Sequence, residues 1–284
     1  MAYLTKEDWN YFLLPKICDD KSFSEHLKEN IKIQNSIIRL INNIINSQKN
    51  SEKKLFQRIL ISSMMYYYKY ILFNNISHSD LSSLDKLVLY CSSIFLSFKE
   101  ANKLIHINIL SSKFQPFFKK YKIEIEEIKN LIIKKEFDIL ISIEFNMAID
   151  SPYELLNYIK LYLTKLQKGN EAIVRIINYI NLNLNDSILF PLCLYYTPKE
   201  ILFSCILLVK KEYKLDFINI NDLIKLNKYQ IEIDNINKCA LYISKIKKCK
   251  NEFIENNLNN KKDNIRNNDN FNIKNISFIK NNIN

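Results

Sequence analysis

Apolar residues recur every three or four positions along most of this chain, in runs set apart by short polar breaks. That period predicts amphipathic helices rather than strands. One helix is expected over residues 24–47, with Ile33, Ile37, Leu40, Ile41, Ile44 and Ile45 on one face. The next, over 52–73, is apolar almost all round (Leu55, Ile59, Leu60, Met64, Tyr66, Tyr67, Tyr70) and should be surrounded by others. A third, over 84–102, carries Leu84, Val88, Cys91, Phe95 and Phe98 on one side. A shorter helix and loop follow over 103–121, with Pro116 as a breaker, and then a long helix over 125–145. Its buried stripe is Ile125, Ile128, Ile132, Ile139 and Ile143. More helices are expected over 151–166, 170–184, 197–209, 222–228 and 231–249. Near the start, Trp9, Phe12 and Leu13 mark a short arm helix closed by Pro15, with Trp9 as the anchor that packs it.

Two polar positions interrupt this pattern. Glu136 lies four residues after Ile132 and four before Leu140, so its carboxylate runs along the apolar stripe and needs a cationic or hydrogen-bonding partner. Lys99 ends the stripe begun at Phe95, where its stem can run out to solvent. Helix starts are marked twice, by Ser151-Pro152-Tyr153-Glu154 and Thr197-Pro198-Lys199-Glu200. Each has a hydroxyl at the cap, proline at the first helical position and glutamate three residues past the cap. Capping accounts for the glutamates, which phosphorylation at the Ser-Pro and Thr-Pro dipeptides would not. Residues 92–100 also match residues 204–212 at five of nine positions. With the recurring helix order around them, the match predicts two similar helical modules of about 100 residues.

Composition narrows the chemistry. One Gly and five Pro among 284 residues argue against a β-sandwich and against any glycine-rich nucleotide loop. The six Cys are scattered without C-x-x-C spacing and read as buried thiols, and the three His show no metal-ligand spacing; neither a metal nor a cofactor is expected. The net charge of +11 is spread through a general Asn, Ile and Lys bias, so nucleic acid is not an expected partner. Charges within the first ten residues argue against a secretory leader, and the apolar run over 59–73 is too short and too polar to span a bilayer. The Asn-rich stretch at the end is expected to be a disordered tail.

Three segments resemble the cyclin family. Residues 87–100 (LVLYCSSIFLSFKE) are similar to the central helix of a first cyclin box. Residues 132–157 (IIKKEFDILISIEFNMAIDSPYELLN) are similar to its fifth helix and the start of a second box. Residues 192–207 (LCLYYTPKEILFSCIL) are similar to the third helix of the second box in transcription-associated cyclins, of the cyclin H and cyclin C type. The resemblance implies an all-α fold of two tandem five-helix cyclin boxes. The arm would be 1–23, the first box 24–150, the second 151–250 and the tail 251–284. It further implies a non-enzymatic regulatory subunit that binds and activates a cyclin-dependent protein kinase, in a transcription or kinase-activating complex or in the cell cycle. An assembly factor would be a further partner; the nucleus, with the cytoplasm allowed, would be its place, and no membrane would be involved. The kinase-binding lysine and glutamate of the family fall on Lys99 and Glu136, and apolar positions of the same face on Leu140 and Phe145. One departure is plain: the family's Val-Glu-Glu after the lysine is Glu100-Ala101-Asn102 here, which leaves an altered kinase interface or lost kinase binding open. The alternatives are a general-transcription-factor-like DNA-binding core and a kinase-independent helical scaffold.

Overall fold

The computed structural model describes residues 20–45, 50–149, 151–166, 169–226 and 232–267. The arm helix with Trp9, Cys18 and the last seventeen residues of the expected tail lie outside these. Among the described residues the chain is helical, with no strand, and ten α-helices follow one another. They are α1 Asp20–Asn42, α2 Asn50–Phe73, α3 Ser83–Glu100, α4 Ile107–Phe118 and α5 Ile125–Ser142, then α6 Leu156–Lys165, α7 Asn170–Ser187, α8 Pro198–Glu212, α9 Ile220–Leu226 and α10 Ile233–Asn267.

The residues divide into two units, 30–151 and 152–284 together with 1–29. In the first, α3 is the central helix: every residue from Val88 to Phe98 is buried. It packs against α2, α5 and α4. Tyr66, Tyr67, Tyr68 and Tyr70 of α2 are buried with it, as an all-round apolar helix requires. In the second unit α8 takes the central place, packed against α10 and α7. There Phe23, from the first turn of α1, stacks on Phe190 at 4.8 Å, and the Lys245 ammonium sits 4.6 Å from the Phe23 ring. No helix among the described residues is long and apolar enough to cross a membrane.

Several boundaries differ from the sequence expectation. Pro116 does not break its helix; it lies two residues before the end of α4, where a missing N–H frees only one carbonyl. The capping box at Thr197 forms in full: its hydroxyl accepts from the Glu200 N–H at 3.3 Å and the Glu200 carboxylate accepts from the Thr197 N–H at 2.7 Å. At Pro152 the chain makes a 3-10 turn, Pro152–Leu155, and the α-helix begins only at Leu156. Helix α10 continues to Asn267, well past residue 250 where the Asn-rich stretch was expected to leave helix.

Four helices stop on non-glycine residues in the left-handed region. Asn75, Asn102, Glu144 and Lys214 have φ between 51° and 54°. In each case the next N–H reaches back five residues to a helix carbonyl: Ile76 to Ile71, Lys103 to Phe98, Phe145 to Leu140 and Leu215 to Lys210, at 2.8–3.0 Å. This is the Schellman closure, normally built on glycine. With one glycine in the chain, asparagine and charged residues do the turning.

Candidate docking face

In the first unit α3 and α5 are bolted by a buried serine. The Ser92 hydroxyl lies 3.0 Å from the Ile132 carbonyl of α5 and 2.9 Å from its own-helix Val88 carbonyl, and can donate to either. One turn beyond Ile132 comes Glu136, and two turns beyond Ser92 comes Lys99. They meet: Lys99 Nζ lies 2.6 Å from Glu136 Oε1. The glutamate side chain is only 8% exposed and the lysine 41%. The ammonium also stands 4.2 Å from the Phe95 ring, a cation–π contact, and the C-terminal end of α3 favours a cation there. A buried carboxylate thus has its charge partner at the rim of the fold. An ammonium carries three donors, so N–H groups remain for an incoming carbonyl.

The next residue takes a different partner. Glu100 accepts from Arg58 of α2 through both carboxylate oxygens, at 2.7 and 3.3 Å, and from Ser62 at 3.2 Å. Ala101 and Asn102 then form the left-handed stop described above. Where the family has a second and third residue of a charged run, this chain caps its central helix. The departure leaves the Lys99–Glu136 pair in place.

Helix α5 turns a second apolar stripe outward. Ile128, Ile132, Glu136 and Ile139 face the core. On the opposite side Ile133, Phe137 and Ile141 follow one another at four-residue spacing and are 41%, 56% and 54% exposed. Phe145, 61% exposed, completes the stripe with its ring edge-on to Phe137 at 6.2 Å. Leu140 is half-buried, and its carbonyl accepts the Phe145 N–H at 2.8 Å. So of the four residues picked from sequence, Lys99 and Glu136 are in direct contact, Leu140 lies at the edge and Phe145 is at the tip. Ile133, Phe137 and Ile141 extend the face beyond the residues expected from sequence, at an i, i+4 spacing that does not tell an outward stripe from a buried one. The helix itself ends at Ser142, not Phe145. Glu144 closes it, and Phe145 follows with φ also positive, at 57°. Two consecutive left-handed residues, one of them aromatic, store on the order of 1 kcal/mol each. Nearby, burial pushes the Lys135 ammonium pKa down, but its bonds to Tyr70 (3.0 Å) and Asp138 (2.9 Å) outweigh that and leave it raised.

Elsewhere chemistry is sparse. Cys91, Cys205 and Cys239 are buried, and burial pushes the Cys239 thiol up to about 12, so it stays protonated. Among the described residues no group of three His, Cys, Asp or Glu is arranged to hold a metal.

Two all-α five-helix units, each built around a buried central helix, give this chain a cyclin-type all-α fold. Solved structures of similar fold include chains of two multi-subunit complexes. A chain of the yeast TFIIK (Kin28/Ccl1/Tfb3) complex matches with a TM-score of 0.55 and 16% identity, over 84% of this chain and 94% of that one. A chain of the Chaetomium thermophilum CAK complex bound to ATP-gamma-S matches with a TM-score of 0.53 and 13% identity, over 76% of this chain and 63% of that one. At such identities the likeness is one of fold. No protein-family model and no curated protein sequence matches the chain.

Proposed function

We propose that this protein is a regulatory subunit that binds and activates a cyclin-dependent protein kinase, in a transcription-associated or kinase-activating complex of the nucleus. The observation that carries the proposal is the α5 face: a buried carboxylate paired with a rim lysine at 2.6 Å, beside an uncovered apolar stripe. Monomers seldom leave such a stripe bare without a partner for it. A kinase is active when its regulatory helix brings a glutamate to the catalytic lysine and its activation loop is ordered. A rigid helical surface that fits only that pose shifts the kinase toward it by its differential affinity. Lys99 and Glu136 would take the backbone groups at the end of the regulatory helix, and Phe137, Leu140, Ile141 and Phe145 its apolar side. The chain would contribute no catalytic residue, and an assembly factor would be a third subunit.

The test is an affinity pull-down from native extract with the intact protein and with a Lys99→Ala/Glu136→Ala double variant. A kinase recovered by the first and lost by the second, together with kinase activity raised by the purified intact protein, supports the reading. Recovery of the same kinase by both proteins, or of none, overturns it. One observation favours a second reading: a net charge of +11 suits a DNA-binding core of the same fold. Duplex binding with a steep salt dependence would mark that case.

A further inference from the structure

The turn after α5 is an arch with one foot held by α2 and the other by Asn74, the residue that follows α2. At the near foot the Asn74 side-chain amide donates to Ser142 Oγ at 2.9 Å, and Ser142 Oγ lies 2.8 Å from the Asp138 carbonyl as its acceptor. At the far foot the Tyr66 hydroxyl donates to the Met147 carbonyl at 2.8 Å. Tyr66 is 0% exposed, so its ring cannot swing away without opening the core. Between the feet lie the left-handed pair Glu144 and Phe145. The arch is further tightened by the Asn146 N–H on the Ile143 carbonyl (2.9 Å) and the Met147 N–H on the Phe145 carbonyl (3.1 Å). At its crown the Phe145 ring stands 61% exposed against Phe137.

A bulky residue does not hold a left-handed backbone in an exposed turn by its own preference. The surroundings must impose it. Here the imposing groups come from α2 and the residue just after it, which are not part of the α5 stripe. The other left-handed positions, Asn75, Asn102, Lys122 and Lys214, are single residues. Only this one, among the described residues, has two in a row, and only this one carries an exposed aromatic at the second.

We propose that Tyr66 and Asn74 are positioning residues of the docking face, which hold the 142–147 arch so that Phe145 is presented to the partner kinase already in its bound pose. This rests on the kinase-docking reading above. The arch lowers the ordering cost of association, and a loosened arch binds with affinity reduced by the fraction still correctly folded.

The experiment measures binding of the kinase identified in the pull-down, purified, to variants of the full chain. Phe145→Ala is expected to weaken binding roughly tenfold or more. Tyr66→Phe, which keeps the ring and removes only the strut, should weaken it roughly five- to tenfold. The double variant should be no weaker than Phe145→Ala within about twofold, because the strut acts only through that ring. Tyr67→Phe, a buried control on the same helix, should leave binding unchanged even if melting temperature falls. Should Tyr66→Phe not fold, Asn74→Ala releases the other foot at an exposed position and carries the same test. Losses that multiply in the double variant, or a Tyr66→Phe protein that binds normally while Phe145→Ala does not, overturn the inference and leave the docking face standing. If Lys99→Ala/Glu136→Ala and Phe145→Ala all bind like the intact chain, the docking reading itself has failed.

Discussion

The two central helices, α3 and α8, are built on the same plan and end differently. Ser92 of α3 reaches the Ile132 carbonyl, and Ser204 of α8 reaches the Ile236 carbonyl at 2.8 Å. Each serine is followed seven residues later by a Lys-Glu pair, Lys99-Glu100 and Lys211-Glu212. Each glutamate forms an ion pair with a neighbouring helix, Glu100 with Arg58 and Glu212 with Lys247. The difference is on the facing helix. One turn past Ile132 stands Glu136; one turn past Ile236 stands Ala240, 4% exposed. The stripe differs too. At the places of Ile133, Phe137, Ile141 and Phe145, α10 has Asn237, Leu241, Lys245 and Cys249, so a single exposed leucine replaces a continuous apolar row. And α10 runs on as helix where α5 turns into its arch. A shared chassis thus carries the proposed docking face in one copy only, and its apolar stripe is made by the fifth helix rather than by the repeated central one.

That contrast breaks most decisively in binding. Lys99→Ala/Glu136→Ala should lower kinase affinity about a hundredfold, through loss of charge-assisted bonds at a desolvated site, while Lys211→Ala leaves it within about twofold. Isothermal titration of the two variants side by side decides the matter; equal losses would mean that the second module docks as well.

Stability separates the copies next. Lys99→Met leaves a carboxylate that is 8% exposed without its cation, and should cost about 2 kcal/mol in urea unfolding, whereas Lys211→Met should cost under about 0.5. The shared bolt should weigh the same in both. Ser92→Ala and Ser204→Ala each remove a buried donor from carbonyls that keep their helical partners, and about 1 kcal/mol is expected from either.

The smallest effect is one of pH. Burial, aided by Lys86, lowers the His78 pKa to about 4, and its Nδ1 sits 2.5 Å from the Tyr67 hydroxyl. The unfolded chain takes up this proton near pH 6.5, before the folded one does. Stability is therefore full above about 6.5 and falls as pH drops toward 4, by on the order of 1 kcal/mol once solvent screening of a half-exposed ring is allowed for. His78→Gln should flatten that slope in acid titrations of the first module's melting.

Much of this was legible in the sequence, and the failures have physical causes. Glu136 could be found because a charge on an apolar stripe demands an explanation, and Thr197-Pro198-Lys199-Glu200 because a capping box is local. The exposed stripe escaped notice because Ile and Phe at four-residue spacing look like core whichever way they face. The pattern predicts an end of α5 at Phe145 because Ile143 and Phe145 continue the apolar period and Glu144 gives no turn signal. Arg58 and Glu100 lie forty-two residues apart, and only packing of α2 on α3 joins them. Asparagine reads ambiguously: as a run it suggests disorder where α10 goes on to Asn267, and singly, at Asn75 and Asn102, it does the work of a glycine.

The scarcity of glycine leaves this fold with room to be improved. Each left-handed stop holds a side chain where none is wanted, and glycine at Glu144 or Lys214 should raise stability by about 1 kcal/mol, with smaller gains at the two asparagines. For an engineer these are four independent upgrades that alter no core contact. Phe145 is a left-handed residue to leave alone, since there the awkward backbone and the exposed ring come as a single part.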